Sequence, residues 1–230
     1  MELAASRPVT AAQESFLPRV FSWMFIGLAI TGAVAAVGSS SEAFTEAVTS
    51  NPGVFIAIII GQLILVIVLV AAIRKISPTV AITLFFLYAA LNGVIFAFIF
   101  ELYTEQSVWT AFFITGAMFG AMAGVGFVTK RDLSKLGPIL FMALIGLIIA
   151  SIVNLFVGGN TLYWITTYAG VLIFSALAAY DMNKLKKIRD QGFADETQQK
   201  RSAIIGALSL YLDFINLFLM LLRLFGQNRG

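Results

Sequence analysis

Apolar residues dominate the chain in seven long stretches that are separated by short polar segments. Each stretch approaches or reaches the roughly 20 residues that a helix needs to cross a hydrocarbon core about 30 Å thick. Helices are expected because backbone groups inside lipid must find hydrogen-bond partners within their own segment, and the alternation typical of barrel strands is missing. The pattern therefore predicts an all-α polytopic membrane protein with spans at about 20–37, 54–73, 80–100, 108–127, 139–157, 162–180 and 203–224.

These spans consume nearly all of the 230 residues, so a separate soluble domain has no room. We expect a cytoplasmic arm at 1–19, one seven-helix transmembrane domain at 20–226 and a short tail at 227–230. The hydrophilic stretch 184–201 is interpreted as a solvated loop. No cleavable signal is expected, because the arm is polar and the first apolar stretch is long enough to remain as a span.

Composition supports this class and narrows the chemistry. Hydrophobic residues make up 60% of the chain and charged residues 12%, against about 25% charged residues in a soluble domain. The chain has no cysteine and no histidine, which removes disulfides, thiol nucleophiles, imidazole bases and the commonest ligands of transition metals. We therefore expect neither an enzyme nor a bound cofactor.

The charged residues indicate an orientation. Of the 15 basic residues, 13 fall in the N-terminal arm or in the loops after spans two, four and six, which leaves Arg223 and Arg229 on the other side. The opposite loops contain acids instead, namely Glu42, Glu46, Glu101 and Glu105. Because cytoplasmic loops are rich in Lys and Arg, the N-terminus is expected in the cytoplasm and the C-terminus outside. The net charge of +3 is explained by this topology and does not indicate nucleic-acid binding.

One acid in the last apolar stretch requires an explanation. Asp213 lies in the middle of AIIGALSLYLDFINLFLMLLRL, residues 203–224, where an aspartate costs roughly 2.5 to 3.5 kcal/mol on insertion scales. Ser209 and Asn216, at i−4 and i+3, lie on the same face and are interpreted as supporting polar positions. Hydrogen-bonded packing between helices is the alternative for these two residues, whereas an ionisable group within a span is a candidate functional site.

A second acid, Asp181, ends the predicted sixth span. Antiparallel neighbouring helices would bring its carboxyl and that of Asp213 together in the cytoplasmic half of the bundle. Two close carboxyls tend to share a proton and titrate as a unit, and when both are ionised they suit a hard cation such as Ca²⁺. By helix counting the two residues differ in depth by about 10 Å. Either the last helix begins deeper in the cytoplasm than its hydropathy indicates, or the carboxyls meet in one state only.

Arg74 ends the second span on the same side and matches the depth of Asp181. Asp181 is therefore expected to exchange between Arg74 and Asp213, a two-state switch set by protonation. The alternative is that Arg74 only anchors the second span at the cytoplasmic surface.

Smaller polar and glycine positions are interpreted as packing features. A run of small residues in the fourth span predicts close approach of another helix, at Gly116, Gly120 and Gly124. Isolated amides within spans predict hydrogen bonds between helices, at Gln62, Asn92 and Asn154.

Three strings resemble the Bax inhibitor, or transmembrane Bax inhibitor motif, family, and above all its bacterial inner-membrane members: ALSLYLDFINLFLMLLRLFG (207–226), AAYDMNKLK (178–186) and FVTKRDLSKLG (127–137). The resemblance implies a seven-helix bundle with the last helix at the centre of two three-helix groups. It also implies a pH-sensitive Ca²⁺ leak in which aspartates matching Asp181 and Asp213 gate a pore near the cytoplasmic side. The family arginine that pairs with the first aspartate in the closed form matches Arg74. Some bacterial relatives carry an acid in the second span, where this chain has Gln62, so a second cation site there is not expected.

Two other functions remain open at this stage. A non-conducting membrane regulator would bind a membrane protease or another membrane partner rather than pass Ca²⁺ and respond to protons. An intramembrane aspartyl protease would use Asp181 and Asp213, and Tyr180 before Asp181 fits its first motif. The Gly-x-Gly-Asp string typical of its second motif is missing before Asp213, which disfavours the protease.

Overall fold

The computed structural model describes residues 11–41, 46, 52–227 and 229. This part of the chain folds into seven α-helices, which confirms the predicted all-α class: α1 Ala11–Ser39, α2 Pro52–Ala72, α3 Pro78–Leu102, α4 Glu105–Val128, α5 Gly137–Val157, α6 Asn160–Gln191 and α7 Glu196–Phe225. A short 3₁₀ turn at Leu133–Leu136 leads into α5. The first ten residues of the predicted arm, and Glu42 of the predicted outer loop, lie outside the described residues.

Helix ends follow recognisable local rules. Ser77 and Thr104 begin α3 and α4 as N-caps, since each hydroxyl accepts a backbone N–H three residues later. Pro52 and Pro78 stand at the first position of their helices, where no amide hydrogen is needed. Gly158 ends α5 with a φ of 66°, a left-handed conformation that glycine adopts without strain.

Six of the helices, all except α2, are long and apolar enough to cross a membrane. Helix α2 has 21 residues, about 32 Å of helix, and its described apolar segment Ile56–Ala72 is shorter. Large apolar side chains point outward from many helices, for example Phe113, Leu155 and Phe156, with 68 to 86% of their surface exposed. In a membrane these side chains face lipid, so their exposure is expected.

The last helix is the centre of the bundle. In the most apolar 18-residue segment of α7, 72% of the residues are buried, against 11 to 39% in the corresponding segments of the other five candidate spans. It packs against α1 and α3 on one side and against α4 and α6 on the other. Helix α2 packs chiefly along α3, and α5 along α6. The groups α1–α2–α3 and α4–α5–α6 therefore surround α7, as the family resemblance implied.

The connection between α6 and α7 differs from the prediction. Helix α6 continues to Gln191 and α7 begins at Glu196, so residues 184–201 are mostly helical rather than a solvated loop. The Asp195 carboxylate caps α7 by accepting the Gln198 N–H at 2.7 Å. Hydropathy marks only the lipid-buried part of a helix, whereas Lys, Arg, Gln and Glu are good helix formers that extend it into water.

The prediction for the glycine run was also wrong. A Cβ atom at Gly116, Gly120 or Gly124 would meet nothing within 4 Å, so no helix approaches there within the described chain. The close approach is at Gly126, where a Cβ would overlap the Ala179 carbonyl group of α6 and lie 2.9 Å from the Ala179 Cα. Helices α4 and α6 cross at this glycine.

Among the described residues, the amides do not form the predicted interhelical hydrogen bonds. The Asn92 side chain donates to the Tyr88 carbonyl within its own helix, at 3.0 Å. Gln62 Nε2 and Asn154 Oδ1 are buried without a hydrogen-bond partner among the described residues.

Candidate functional site

Asp213 lies at the middle of the central helix and is 6% exposed. Its Oδ2 atom is buried without a hydrogen-bond partner in the described part of the chain. An ionised carboxylate without a partner is expensive to hold in a low-dielectric interior. A proton or a cation at this oxygen would relieve that expense, so Asp213 is suited to bind either one.

Asp181 lies ten residues before the end of α6, half-buried, and within hydrogen-bonding reach of Ser209. Since Ser209 is one turn from Asp213, about 6 Å along α7, the acids are separated by roughly one helical turn in depth. The Asp181 carboxyl is near enough to repel negative charge on Asp213. No hydrogen bond joins the two carboxyls among the described residues.

The extended helices explain why the acids come closer than helix counting predicted. Asp181 lies within α6 rather than at its end, and α7 begins seven residues before the apolar stretch at 203. The structure therefore brings Asp181, Ser209 and Asp213 together, and their functional roles stay predictions.

Arg74 and Asp181 line one cavity of about 590 Å³ between the C-terminal ends of α2 and α6 and the N-terminal part of α7. Arg74 lies in the turn after α2 and is exposed. No ion pair joins its guanidinium to Asp181 among the described side chains. The two groups therefore face one shared cavity.

Arg201 fastens the turn that carries Arg74. Its Nε and Nη2 atoms donate to the Ile76 carbonyl at 3.1 and 2.7 Å. This two-point contact links the N-terminal part of α7 to the α2–α3 turn. Arg74, two residues before Ile76, is thereby held at the mouth of the cavity.

Asn216 does not join the two acids. Its amide donates to the Leu212 carbonyl in its own helix, at 2.7 Å, and the side chain is half-buried. No contact among the described residues joins Asn216 to either acid, so its supporting role stays a prediction.

Several residues near the site were missed from the sequence. The Tyr211 hydroxyl lies 2.7 Å from Thr31 Oγ1, which also donates to the Ala89 carbonyl at 2.9 Å and so ties α7 to α1 and α3. Lys184 and Arg201 line the cavity but had been assigned to a solvated loop. The spacing of Lys184, one helical turn after Asp181, was the signal that could have placed it on the same face.

The C-terminal end of α7 is fixed by the tail that follows it. The Thr104 N–H donates to the Gln227 carbonyl at 3.0 Å, and the Arg229 N–H donates to the Leu102 carbonyl at 3.0 Å. The Gln227 N–H donates to Ser107 Oγ at 2.9 Å. These bonds attach the tail to the turn between α3 and α4.

A further acid lies outside the membrane-spanning segments, in the α4–α5 connection. The Asp132 carboxylate accepts hydrogen bonds from the Lys187 ammonium and from the Ser134 N–H, the latter at 2.7 Å. These two bonds hold the pKa of Asp132 well below its usual range, with Lys187 the larger cause. Asp132 therefore stays ionised near neutral pH and is no candidate proton sensor.

The site offers two neighbouring carboxyls rather than a metal cage. Among the described residues, no group of three or more His, Cys, Asp or Glu side chains is placed to hold a metal ion. A resident Ca²⁺ needs six to eight oxygen ligands. Two carboxyls, of which Asp181 lines a cavity, suit a cation in transit better than a resident ion.

Comparison with known proteins finds relatives that match nearly the whole chain. A family described as inhibitor of apoptosis-promoting Bax1 matches residues 13–230. The chain is 47% identical over 220 residues to the inner membrane protein YbhL of Escherichia coli (strain K12), covering 95% of this chain and 94% of that protein. It is 40% identical over 231 residues to a protein of Borreliella burgdorferi and 39% identical over 229 residues to one of Deinococcus radiodurans. Those alignments cover 100% and 99% of this chain, and 99% and 97% of the relatives.

Proposed function

Because the chain belongs to the Bax inhibitor family, we propose that it is a pH-sensitive calcium leak channel, gated by Asp181 and Asp213 together with Arg74. One observation carries the proposal: Asp213 holds a buried, unpartnered carboxyl oxygen near a second carboxyl that opens onto a cavity. Burial of two acids in the core of a membrane protein is expensive and is retained mainly at ion or proton pathways. The proposal assigns the chain no catalytic activity.

The gate follows from the charges. When both acids are ionised they repel each other, and Asp181 turns toward Arg74 across the cavity, which closes the inner end of the pathway. When one proton is present, the two carboxyls share it, and Arg74 is released. Calcium flux is therefore expected to rise as the pH falls.

Flux through reconstituted protein tests the proposal. Wild-type protein in liposomes should pass Ca²⁺ at rates that rise as the pH is lowered from about 8 to about 5, because the carboxyl pair gains a proton. The Asp181→Asn, Asp213→Asn double variant should show a flat pH profile. A wild-type protein that is correctly folded yet passes no Ca²⁺ at any pH would contradict the channel and favour a non-conducting regulator, which should then purify with a stoichiometric membrane partner.

The chain is an integral membrane protein with an inner-membrane relative in Escherichia coli. We propose that its N-terminus is cytoplasmic, because 13 of its 15 basic residues lie on that side of the predicted topology. With seven crossings, the C-terminus lies outside. A periplasm-dependent reporter fused after Gly230 should therefore be active, and activity of a cytoplasm-dependent reporter at the same position would reverse the assignment.

A further inference from the structure

The cavity beside Asp181 carries more positive than negative charge. Arg74, Lys184 and Arg201 line it, against Asp181 and Asp195. Neither Arg74 nor Lys184 lies within 4 Å of a carboxylate among the described side chains, although Lys184 attracts Asp181 at longer range. The excess of cations leaves Arg74 and Lys184 available to an anion.

Two of the other three charged residues, Arg201 and Asp195, are already engaged. Arg201 directs Nε and Nη2 at the Ile76 carbonyl. The Asp195 carboxylate accepts the Gln198 N–H as the N-cap of α7. Asp195 is thus committed to its helix, and Arg201 to the turn, which makes Arg74 and Lys184 the groups that would contact a ligand directly.

The uncharged part of the cavity wall is partly apolar. Ile73, Leu185, Ile188 and Ile205 line it, together with the polar side chains of Thr197, Gln198, Ser202 and Ser209. A small hydrated ion gains little from the four apolar side chains, whereas a molecule with a charged head and an apolar body is matched by both parts. The cavity therefore fits an amphiphile better than a bare ion.

The cavity also lies at the depth at which lipid headgroups are found. Helix α2 spans about 32 Å, close to the thickness of a hydrocarbon core, and Arg74 follows its end by two residues. The inner half of α2 exposes apolar side chains to lipid, such as Ile67 at 65% and Val70 at 52%. Arg74 is therefore at the level of lipid phosphates, beside a lipid-facing helix.

We propose that this cavity binds a phosphate-bearing anion between Arg74 and Lys184, either the headgroup of an anionic phospholipid or a free phosphate. Guanidinium and ammonium groups are the usual partners of phosphate oxygens, and Arg74 supplies a planar fork of donors. The consequence for the gate rests on the proposed channel function. A phosphate that engages Arg74 competes with Asp181 for it and so favours the released state of the gate.

Binding to the full-length protein tests the site without any measurement of flux. Protein in a neutral detergent is titrated with phosphatidylglycerol, with phosphatidylcholine and, separately, with inorganic phosphate, and bound ligand is counted by native mass spectrometry. Phosphatidylglycerol should bind more tightly than phosphatidylcholine. The Arg74→Gln, Lys184→Gln variant should lose roughly 25-fold in affinity for phosphatidylglycerol, about fivefold for each basic side chain near a lipid surface.

A matched control separates this cavity from general attraction to a basic face. Lys75→Gln, Lys130→Gln removes the same charge from two exposed positions on the same side that do not line the cavity, and should keep nearly wild-type affinity. Equal loss in both double variants, or equal affinity for the two lipids together with no phosphate binding, would overturn the site. Binding of inorganic phosphate that depends on Arg74 and Lys184 would assign it to a free anion, and its absence alongside phosphatidylglycerol binding would assign it to lipid. Because flux is not measured, failure of the channel proposal leaves this result unchanged.

Discussion

Replacing Asp213 by asparagine is expected to leave the fold intact and to remove most of the pH response of calcium flux. Asparagine matches aspartate in volume, so the packing around α7 is kept, and the substitution deletes a buried charge rather than creating one. At every pH the introduced amide can donate a hydrogen bond toward Asp181, as a protonated Asp213 would. Flux at pH 8 should therefore rise to about the level that the wild type reaches in acid.

The size of the effect follows from proton linkage. One titrating group can change a two-state population by at most about tenfold for each pH unit. We expect the wild-type calcium flux to change by roughly tenfold or more between pH 8 and pH 5. In Asp213→Asn this change in flux should fall below about twofold. The measurement is Ca²⁺ entry into dye-loaded liposomes containing equal amounts of folded protein. Asp132→Asn is the matched control, because Asp132 is an exposed acid that stays ionised across most of this range and should leave the wild-type profile unchanged. A folded Asp213→Asn protein with the wild-type pH profile would remove Asp213 from the gate.

Replacing Gly126 by alanine is expected to destabilise the protein. The new Cβ would lie 2.8 Å from the Ala179 carbonyl carbon and 2.9 Å from its Cα, and both are backbone atoms of α6 that cannot rotate away. Helices α4 and α6 must therefore separate, which also strains the bond from Asn183 Nδ2 to the Gly126 carbonyl, 3.2 Å long. Overpacking typically costs about 1–3 kcal/mol, and the better helix propensity of alanine recovers about 1 kcal/mol.

Gly124→Ala supplies the comparison, since it makes the same chemical change two residues earlier in α4. A Cβ there meets nothing within 4 Å, so this variant should be neutral or slightly stabilised by its helix propensity. Thermal unfolding in detergent, followed by loss of the monodisperse peak in size-exclusion chromatography, should rank Gly126→Ala below wild type and Gly124→Ala at or above it. If the two variants unfold at the same temperature, α4 and α6 do not cross at Gly126.

The sequence predicted the helix class and the position of α7 because both depend on strong patterns. Long apolar stretches indicate spans directly, and the strings around Asp181 and Asp213 carried the family resemblance that implied a central last helix. The glycine positions were less predictable, because lipid tails are as apolar as a neighbouring helix. Gly116 and Gly126 therefore look alike in a hydropathy pattern, and only the structure shows that the second one is packed.

The structure places Asp181 near Asp213 and on the same cavity as Arg74, as the sequence indicated, whereas Lys184 and Arg201 were not expected there. The functional roles of these residues stay predictions. A buried acid is a rare event in a span, so Asp213 stands out from any apolar background. Lys184 and Arg201 lie in hydrophilic sequence that was interpreted as a loop, and their location depends on how far α6 and α7 continue into water. That extension is set by helix propensity and by the cap at Asp195, which hydropathy does not measure.

The central helix is held by hydrogen bonds near both of its ends, which limits its movement relative to the rest of the molecule. Near the N-terminal end of α7, Arg201 donates hydrogen bonds to the Ile76 carbonyl. After its C-terminal end, the tail is hydrogen-bonded to the α3–α4 turn through Gln227. A helix that is held at two places resists sliding along its own axis. Asp213 is thereby kept at a constant depth relative to the α2–α3 and α3–α4 turns.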